Sequence, residues 1–240
     1  MTADRWTQAV RNQLGLGRLL PLGGPHDGAW ITEAAVTAVL RRAARNVPGV
    51  RLTAVRLSLT DPDNTPEPAV PPPPSALPPG PLRITADFAA TPAEPLPATA
   101  SRLRTALTSA ATDRLGLTVT EVDLRVTSLL EQAPGTADED ESESESDGRS
   151  GDPDLRLDAD GSRVATAVRS VPGVTHLAAI HIAPRPGTAS LPRRHVRVDF
   201  ETRSSTRTLD VAREVRTRAT EALPDHPSVA ALVTAVTPGS

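Results

Sequence analysis

The tetrapeptide Val47-Pro48-Gly49-Val50 returns as Val171-Pro172-Gly173-Val174, and no other feature restricts the possible folds of this chain as strongly. Proline lacks a backbone N–H and disfavours helix in the residue before it, while glycine accepts a left-handed backbone, so Pro-Gly after an apolar helical stretch is a stop followed by a turn. Both copies close a segment with helical spacing of apolar residues and open one with strand-like alternation. The same structural event therefore occurs twice, 124 residues apart.

Around the first copy, Val36, Val39, Leu40, Ala43 and Val47 form one apolar stripe of a helix starting near Thr32, with Arg41, Arg42 and Arg45 on its other face. Val55, Leu57 and Leu59 then alternate as a half-buried strand. Leu82, Ile84, Ala86 and Phe88 make a second strand. Leu96, Ala100, Leu103 and Leu107 mark a long helix with Pro97 in its first turn and Gly116 at its end. Val122, Leu124 and Val126 supply a third strand, so the unit reads helix, strand, strand, helix, strand.

The second copy repeats this order in reduced form. Val164, Ala167, Val168 and Val171 give the helix, and Ala178, Ile180 and Ile182 give a strand. Val196-Arg197-Val198-Asp199-Phe200 mirrors Ile84-Thr85-Ala86-Asp87-Phe88. Ala212, Val215, Ala219 and Leu223 line the long helix, with Arg213, Arg216 and Arg218 assigned to solvent, and Leu232 to Val236 the last strand. The Asp-Phe pair recurs after only 112 residues because the second unit has a shorter loop between its strands.

The expected fold class is thus α+β, with two small helix-strand-strand-helix-strand units, each a sheet with helices on one face. The domain reading assigns 1–30 to an N-terminal helix (Trp6, Val10, Leu14) and a leucine-rich connector, 31–130 to the first unit, 131–160 to a linker and 161–240 to the second unit. Within the first unit, residues 61–81 are dominated by proline, including Pro71-Pro72-Pro73-Pro74, and read as an exposed polyproline II connection. The linker contains Asp138 to Asp147, with seven acidic residues and no basic one, a density that argues for a disordered, self-repelling spacer. That run accounts for the acidic net charge of −3, since the remainder is net basic, and every basic residue is arginine.

At this point the pattern resembles the alkaline shock protein family, the envelope stress response family of Gram-positive bacteria. The resemblance rests on the Ile31 to Leu40 helix leading into Val-Pro-Gly-Val, the paired strands, the Leu96 to Leu115 helix, and Gly116-Leu117-x-Val119-x-x-Val122-x-Leu124-x-Val126. It covers Ile31 to Leu130 and, more loosely, Ser162 to Val236, as a tandem with a degenerate second copy. It implies a small α+β fold, no enzymatic activity, and association with the cell envelope through a membrane-anchored protein partner. The whole chain also resembles uncharacterised high-GC Gram-positive proteins carrying a nucleopolyhedrovirus P-ten family label. That label would imply a filament-forming coiled coil, but there is no sustained heptad to support one.

Chemistry-bearing patterns are sparse. With no cysteine, thiolate catalysis, disulfides and thiolate metal sites are excluded. His176 and His181, with His195 downstream, invite a metal site, but odd spacing in a strand places the first two on opposite faces. Asp158-x-Asp160-Gly161 lacks the first and last carboxylates of a calcium loop, where Arg156 and Ala167 stand. Gly15-x-Gly17 has no preceding strand and no third glycine, so it makes no phosphate cradle. No Gly-x-Ser-x-Gly elbow or Ser-His pair is present. Asp87 and Asp199 read as solvent-facing carboxylates on strands. No catalytic, cofactor-binding or metal-binding residue is assigned, and no cofactor is expected.

The expected function is a non-enzymatic intracellular scaffold working through protein contacts. Its alternative is a KH-like nucleic-acid-binding protein, suggested by the small α+β unit and the basic cluster Arg193-Arg194-His195-x-Arg197. Against the alternative, the KH-type loop is missing, and Trp6, Trp30, Phe88 and Phe200 are the only aromatic residues available for stacking. No signal peptide and no apolar run of about 18 residues is visible, so a cytoplasmic location, peripheral to the envelope, is expected.

Overall fold

A computed structural model describes residues 16–131, 158–184 and 194–238. The expected N-terminal helix and the acidic run Asp138 to Asp147 lie outside the described residues. The fold is α+β, with four α-helices and eight strands in two sheets among the described residues. In chain order these are β1 (Leu19–Leu22), β2 (Ala29–Thr32), α1 (Glu33–Arg45), β3 (Val50–Leu59), β4 (Leu82–Ala90), α2 (Leu96–Ser109) and β5 (Val119–Leu129). After the acidic segment come α3 (Ala159–Arg169), β6 (Val174–Pro184), β7 (Arg194–Arg203), α4 (Thr208–Glu221) and β8 (Ser228–Thr237). A π-helical turn, Ala110–Leu115, prolongs α2.

Local chemistry sets the element ends. Thr32 caps α1, its Oγ1 accepting from Ala35 N–H at 3.2 Å and donating to Thr234 O at 2.9 Å. The Pro-Gly turns end α1 and α3, with Gly49 at φ 72° and Gly173 at φ 96°, a region that side chains other than glycine rarely adopt. Asp158 caps α3 by accepting from Gly161 N–H at 2.7 Å, so the Asp158-x-Asp160-Gly161 pattern is a helix start.

The three-stranded sheet has the order β3-β4-β5, with β3 antiparallel and β5 parallel to β4. The second unit builds the same arrangement, β6-β7-β8, with matching orientations. Its sheet then gains two further strands, because the connector of residues 16–25 contributes β1, which pairs with β2. The hairpin lies alongside β8, with β2 parallel to it and Ile31 opposite Val233. The two units share one apolar core. It includes Leu40, Ile84, Phe88 and Leu103 from the first unit and Val168, Val198, Phe200 and Val215 from the second. Helix α1 packs against both β3 and β8, bridging the two sheets.

Leu209 of α4 sits at the junction of the units. A Cβ at Gly23 would fall 2.8 Å from Leu209 Cδ1, and one at Gly116 would collide with Leu209 Cβ. Both glycines have positive φ, at 81° and 90°. Leu209 itself is 3% exposed.

The proline-rich segment is exposed over residues 61–64 as expected, but Val70, Pro73 and Pro79 are buried, which corrects the expectation for its second half. It crosses the outer face of the five-stranded sheet, where Leu19, Trp30, Ala230 and Leu232 form a second apolar cluster together with Val70 of the segment itself. Its non-proline residues make backbone bonds to the β1–β2 hairpin: Ala69 N–H to Pro25 O, Leu77 N–H to Leu19 O, and Leu19 N–H to Ser75 O. Trp30 Nε1 donates to Leu77 O at 3.2 Å. The physical reason is the apolar outer face, since burying Trp30 and Leu232 outweighs the solvation of a chain that has few N–H donors to lose.

Candidate interaction site

The charged side chains proposed as chemistry are mostly engaged with one another. On the outer face of the three-stranded sheet, Asp87 accepts from Arg125 Nε and Nη2 at 2.9 and 2.8 Å. Arg83 meets Glu121 at 2.5 Å and Asp123 at 3.7 Å. The hydrogen bonds from Arg125 hold the Asp87 carboxyl below its ordinary range. This is a solvated, ion-paired face of the kind a surface sheet carries.

Asp199 corrects the expectation of a second solvent-facing carboxylate. It is 4% exposed. Asp87 lies opposite Arg125 in the strand ladder, but Asp199 lies opposite Leu232, which belongs to the apolar cluster under the proline-rich strap. Its ionic partner therefore comes from its own strand. Arg197 Nε lies 3.0 Å from Asp199 Oδ1, a poorly aligned ionic contact, and Arg197 Nη2 donates to Asp199 Oδ2 at 3.3 Å. His181 Nε2 stands 3.5 Å from Asp199 Oδ2.

The two histidines of β6 need a second correction. A bulge between Leu177 and Ala179 shifts the parity, so that His176 lies opposite Glu201 and His181 opposite Arg197. Those partners are four apart on β7, and the histidines share one face. His195 Nδ1 is 2.9 Å from Ser228 Oγ, on a different element. Among the described residues no group of three His, Cys, Asp or Glu side chains is arranged to hold a metal ion.

The remaining candidates serve the fold. Arg194 joins Asp160 at 2.5 Å and Asp225 at 2.6 Å, tying the start of α3 to β7 and to the loop before β8. Its hydrogen bond to Asp225 lowers that carboxyl's pKa. Arg193 lies outside the described residues. Arg213 is exposed as expected while also holding the β1–β2 turn, whereas Arg216, expected in solvent, is half-buried against that turn. Arg213 Nε donates to Asp27 Oδ1 at 2.8 Å, while Arg216 donates to Val229 O at 2.9 Å, to His26 O at 3.1 Å and to Asp27 O. Burial opposes ionisation of Asp27, but the bonds from Arg213 and Gly24 N–H outweigh it and lower its pKa. Burial also lowers the pKa of Arg216. Arg41, Arg42 and Arg45 are exposed on α1 as expected, whereas Trp30, Phe88 and Phe200 are buried.

A cleft of about 40 Å³ between the units is lined by Val39, Arg42, Arg114, Thr206 and Val236, with room for a few waters. A second open feature lies at β5. The repeat gives the comparison: Phe88 pairs with Val126 in the first unit and Phe200 with Val233 in the second. Val233 is 0% exposed because β2 lies beside it, whereas Val126 is 37% exposed and Leu129 is 61% exposed. Among the described residues β5 has β4 on one side and no strand on the other. No side-chain signature marks this edge in the sequence, since Val126 reads as an ordinary inward position of the third strand.

No family model matches this chain, and no curated protein matches it. Three chains among solved structures match. One, a MamM-CTD carrying two substitutions, is 16% identical over 40% of this chain and 92% of its own length, with a TM-score of 0.26.

Proposed function

We propose that this chain is a non-enzymatic interaction protein, a scaffold that works at the periphery of the cell envelope and uses the open edge of β5 as a contact surface. The observation that carries the reading is the difference between two equivalent positions: Val233 is covered by an added strand, and Val126 is not. An unpaired strand edge with bare apolar side chains is a template for addition of another strand, in which main-chain hydrogen bonds give affinity and alternate side chains give specificity. The envelope link comes from the resemblance of Ile31 to Leu130 to the alkaline shock family. Among the described residues no helix is long and apolar enough to cross a membrane; the membrane-anchored protein partner is what that resemblance implies.

The second reading, nucleic-acid binding, has the exposed row Arg41, Arg42 and Arg45 in its favour, which suits phosphate contacts. One experiment separates the two. The tagged chain is purified from its native cells at moderate salt, with and without nuclease, beside a Leu129→Asp variant. Nuclease-resistant recovery of a membrane-anchored protein, lost in Leu129→Asp, supports the scaffold. Recovery of RNA-bound proteins that vanishes with nuclease and persists in Leu129→Asp overturns it in favour of the basic helix.

A further inference from the structure

Resting on the reading of β5 as an interaction edge, we infer that its occupant is β5 of a second copy of this chain, paired antiparallel about Leu124. The first support is the gap itself. β3 and β6 occupy equivalent outer positions in the two units, and among the described residues neither has a second strand neighbour, although Arg18 and Glu33 bond the backbone of Leu57 on β3. The asymmetry falls on β5 and β8, where the hairpin of β1 and β2 covers only β8. The hairpin is used once in each chain, and no other described strand covers the equivalent edge of the first unit.

The second support is the pattern along the strand. Bulges follow Val119 and Val126, and they leave Val119, Val122, Leu124, Val126 and Leu129 on the face that looks toward the helices. These five positions are symmetric about Leu124, with two residues to Val122 or Val126 and five to Val119 or Leu129. Antiparallel pairing centred on Leu124 therefore sets Val122 opposite Val126 of the second copy, and Val119 opposite Leu129. Every apolar residue of the strand meets another, and the bare Val126 and Leu129 are covered on both copies.

Charge then selects the register. On the opposite face Asp123 and Arg125 flank Leu124, with side chains 63% and 75% exposed. Centring on Leu124 places Asp123 of each copy opposite Arg125 of the other, giving two cross-strand ion pairs. Centring on Asp123 would oppose two aspartates, and centring on Arg125 would oppose two arginines, so slipped registers are penalised by like charge. Arg104 Nε donates to Val122 O at 3.3 Å in the single chain, and the incoming strand competes with that one contact. The product is a continuous six-stranded sheet, β3-β4-β5-β5-β4-β3, with a twofold axis at Leu124.

The chain has no cysteine, so introduced thiols report pairing without ambiguity. Opposed residues in antiparallel strands bring Cα atoms to about 4.5–5.5 Å, within disulfide reach, so Leu124→Cys is expected to give a disulfide-linked dimer on mild oxidation. Thr120→Cys is not, because its own copy lies eight residues away along the ladder, about 27 Å at strand spacing. A mixture of Thr120→Cys and Ser128→Cys chains is expected to cross-link, since those positions oppose each other, and it answers the question if Leu124→Cys fails to fold. By sedimentation velocity the full chain dimerises with concentration, and Leu129→Asp raises the dimer dissociation constant at least about tenfold with unchanged circular dichroism. A chain that stays monomeric to about 100 μM with no Leu124→Cys cross-link overturns the self-pairing. If that monomer still captures a partner that Leu129→Asp loses, self-pairing alone has failed and the edge reading stands. A dimer indifferent to Leu129→Asp, or one in which Thr120→Cys links to itself, also overturns the proposal.

Discussion

Replacing Trp30 with alanine tests whether the proline-rich strap is part of the folded core. Trp30 is 1% exposed, packed with Leu19, Val70, Ala230 and Leu232, and its Nε1 donates to Leu77 O. Truncating a buried tryptophan to alanine costs about 3–5 kcal/mol in transfer and cavity terms. Loss of the donor to Leu77 O contributes about 1 kcal/mol of that if water reaches the carbonyl, and more if it does not. Against a typical total stability of about 5–15 kcal/mol this is a large fraction. With a urea dependence of about 2–3 kcal/mol per molar, the midpoint should fall by about 1–2 M. Trp30→Phe keeps an aromatic ring but loses the donor and the pyrrole part of the indole, so it should cost more than the hydrogen bond alone, about 1 kcal/mol, and less than Trp30→Ala. Circular dichroism at the helical band follows unfolding without relying on tryptophan emission. Proteinase K cleavage at Ala69-Val70 and Ala76-Leu77, located by mass, reports release of the strap. A loss below about 1 kcal/mol in Trp30→Ala with unaltered cleavage would refute the docked strap, because a side chain with that burial cannot be removed so cheaply.

Leu209→Ala should cost about 2–5 kcal/mol and leave a single unfolding transition, because its side chain packs against both Gly23 and Gly116 in the shared core; calorimetry giving two transitions with only one shifted would refute a shared core. Gly49→Ala should destabilise by more than about 1 kcal/mol, since its φ of 72° strains alanine and the new Cβ would lie 2.5 Å from Thr91 Oγ1. A melting temperature equal to that of the unaltered chain would show that this turn tolerates a side chain. Acid stability follows from Asp27, Asp87 and Asp225, whose folded pKa values are all lowered. Lowered carboxyl values stabilise the fold fully above the unfolded value of about 3.9, and that stability is lost as pH falls through the folded values. Melting temperature recorded from pH 7 to pH 2 should therefore drop at the acid end, and Asp27→Asn should flatten part of that drop. An Asp27→Asn profile parallel to the unaltered one would mean that Asp27 is not held by Arg213.

Much of the secondary structure is legible because it depends on near neighbours. The Pro-Gly turns, the cap at Thr32, Pro97 at the start of α2 and Gly116 at its end are local backbone chemistry, and the period of the apolar residues names the inward face of each helix and strand. The repeated helix-strand-strand-helix-strand order followed from those signals alone. Parity within a strand was legible only while the strand stayed regular. One bulge after Leu177 moved His176 to the face of His181, and no residue type announces that bulge.

Tertiary structure decided the rest, and the reason is the same in each case. Strand pairing uses N–H and C=O groups that all residues but proline share, so the choice of β8 by the β1–β2 hairpin, which leaves β5 uncovered among the described residues, cannot be read from residue types alone. Burial of polar groups was decided by what lies across the ladder and above the sheet. Asp87 and Asp199 occupy the same place in the repeat, yet Arg125 stands opposite one and Leu232 opposite the other. The proline-rich segment looked solvated because its composition is; the apolar face of Trp30 and Leu232, assembled from strands about 200 residues apart, gave it something to cover.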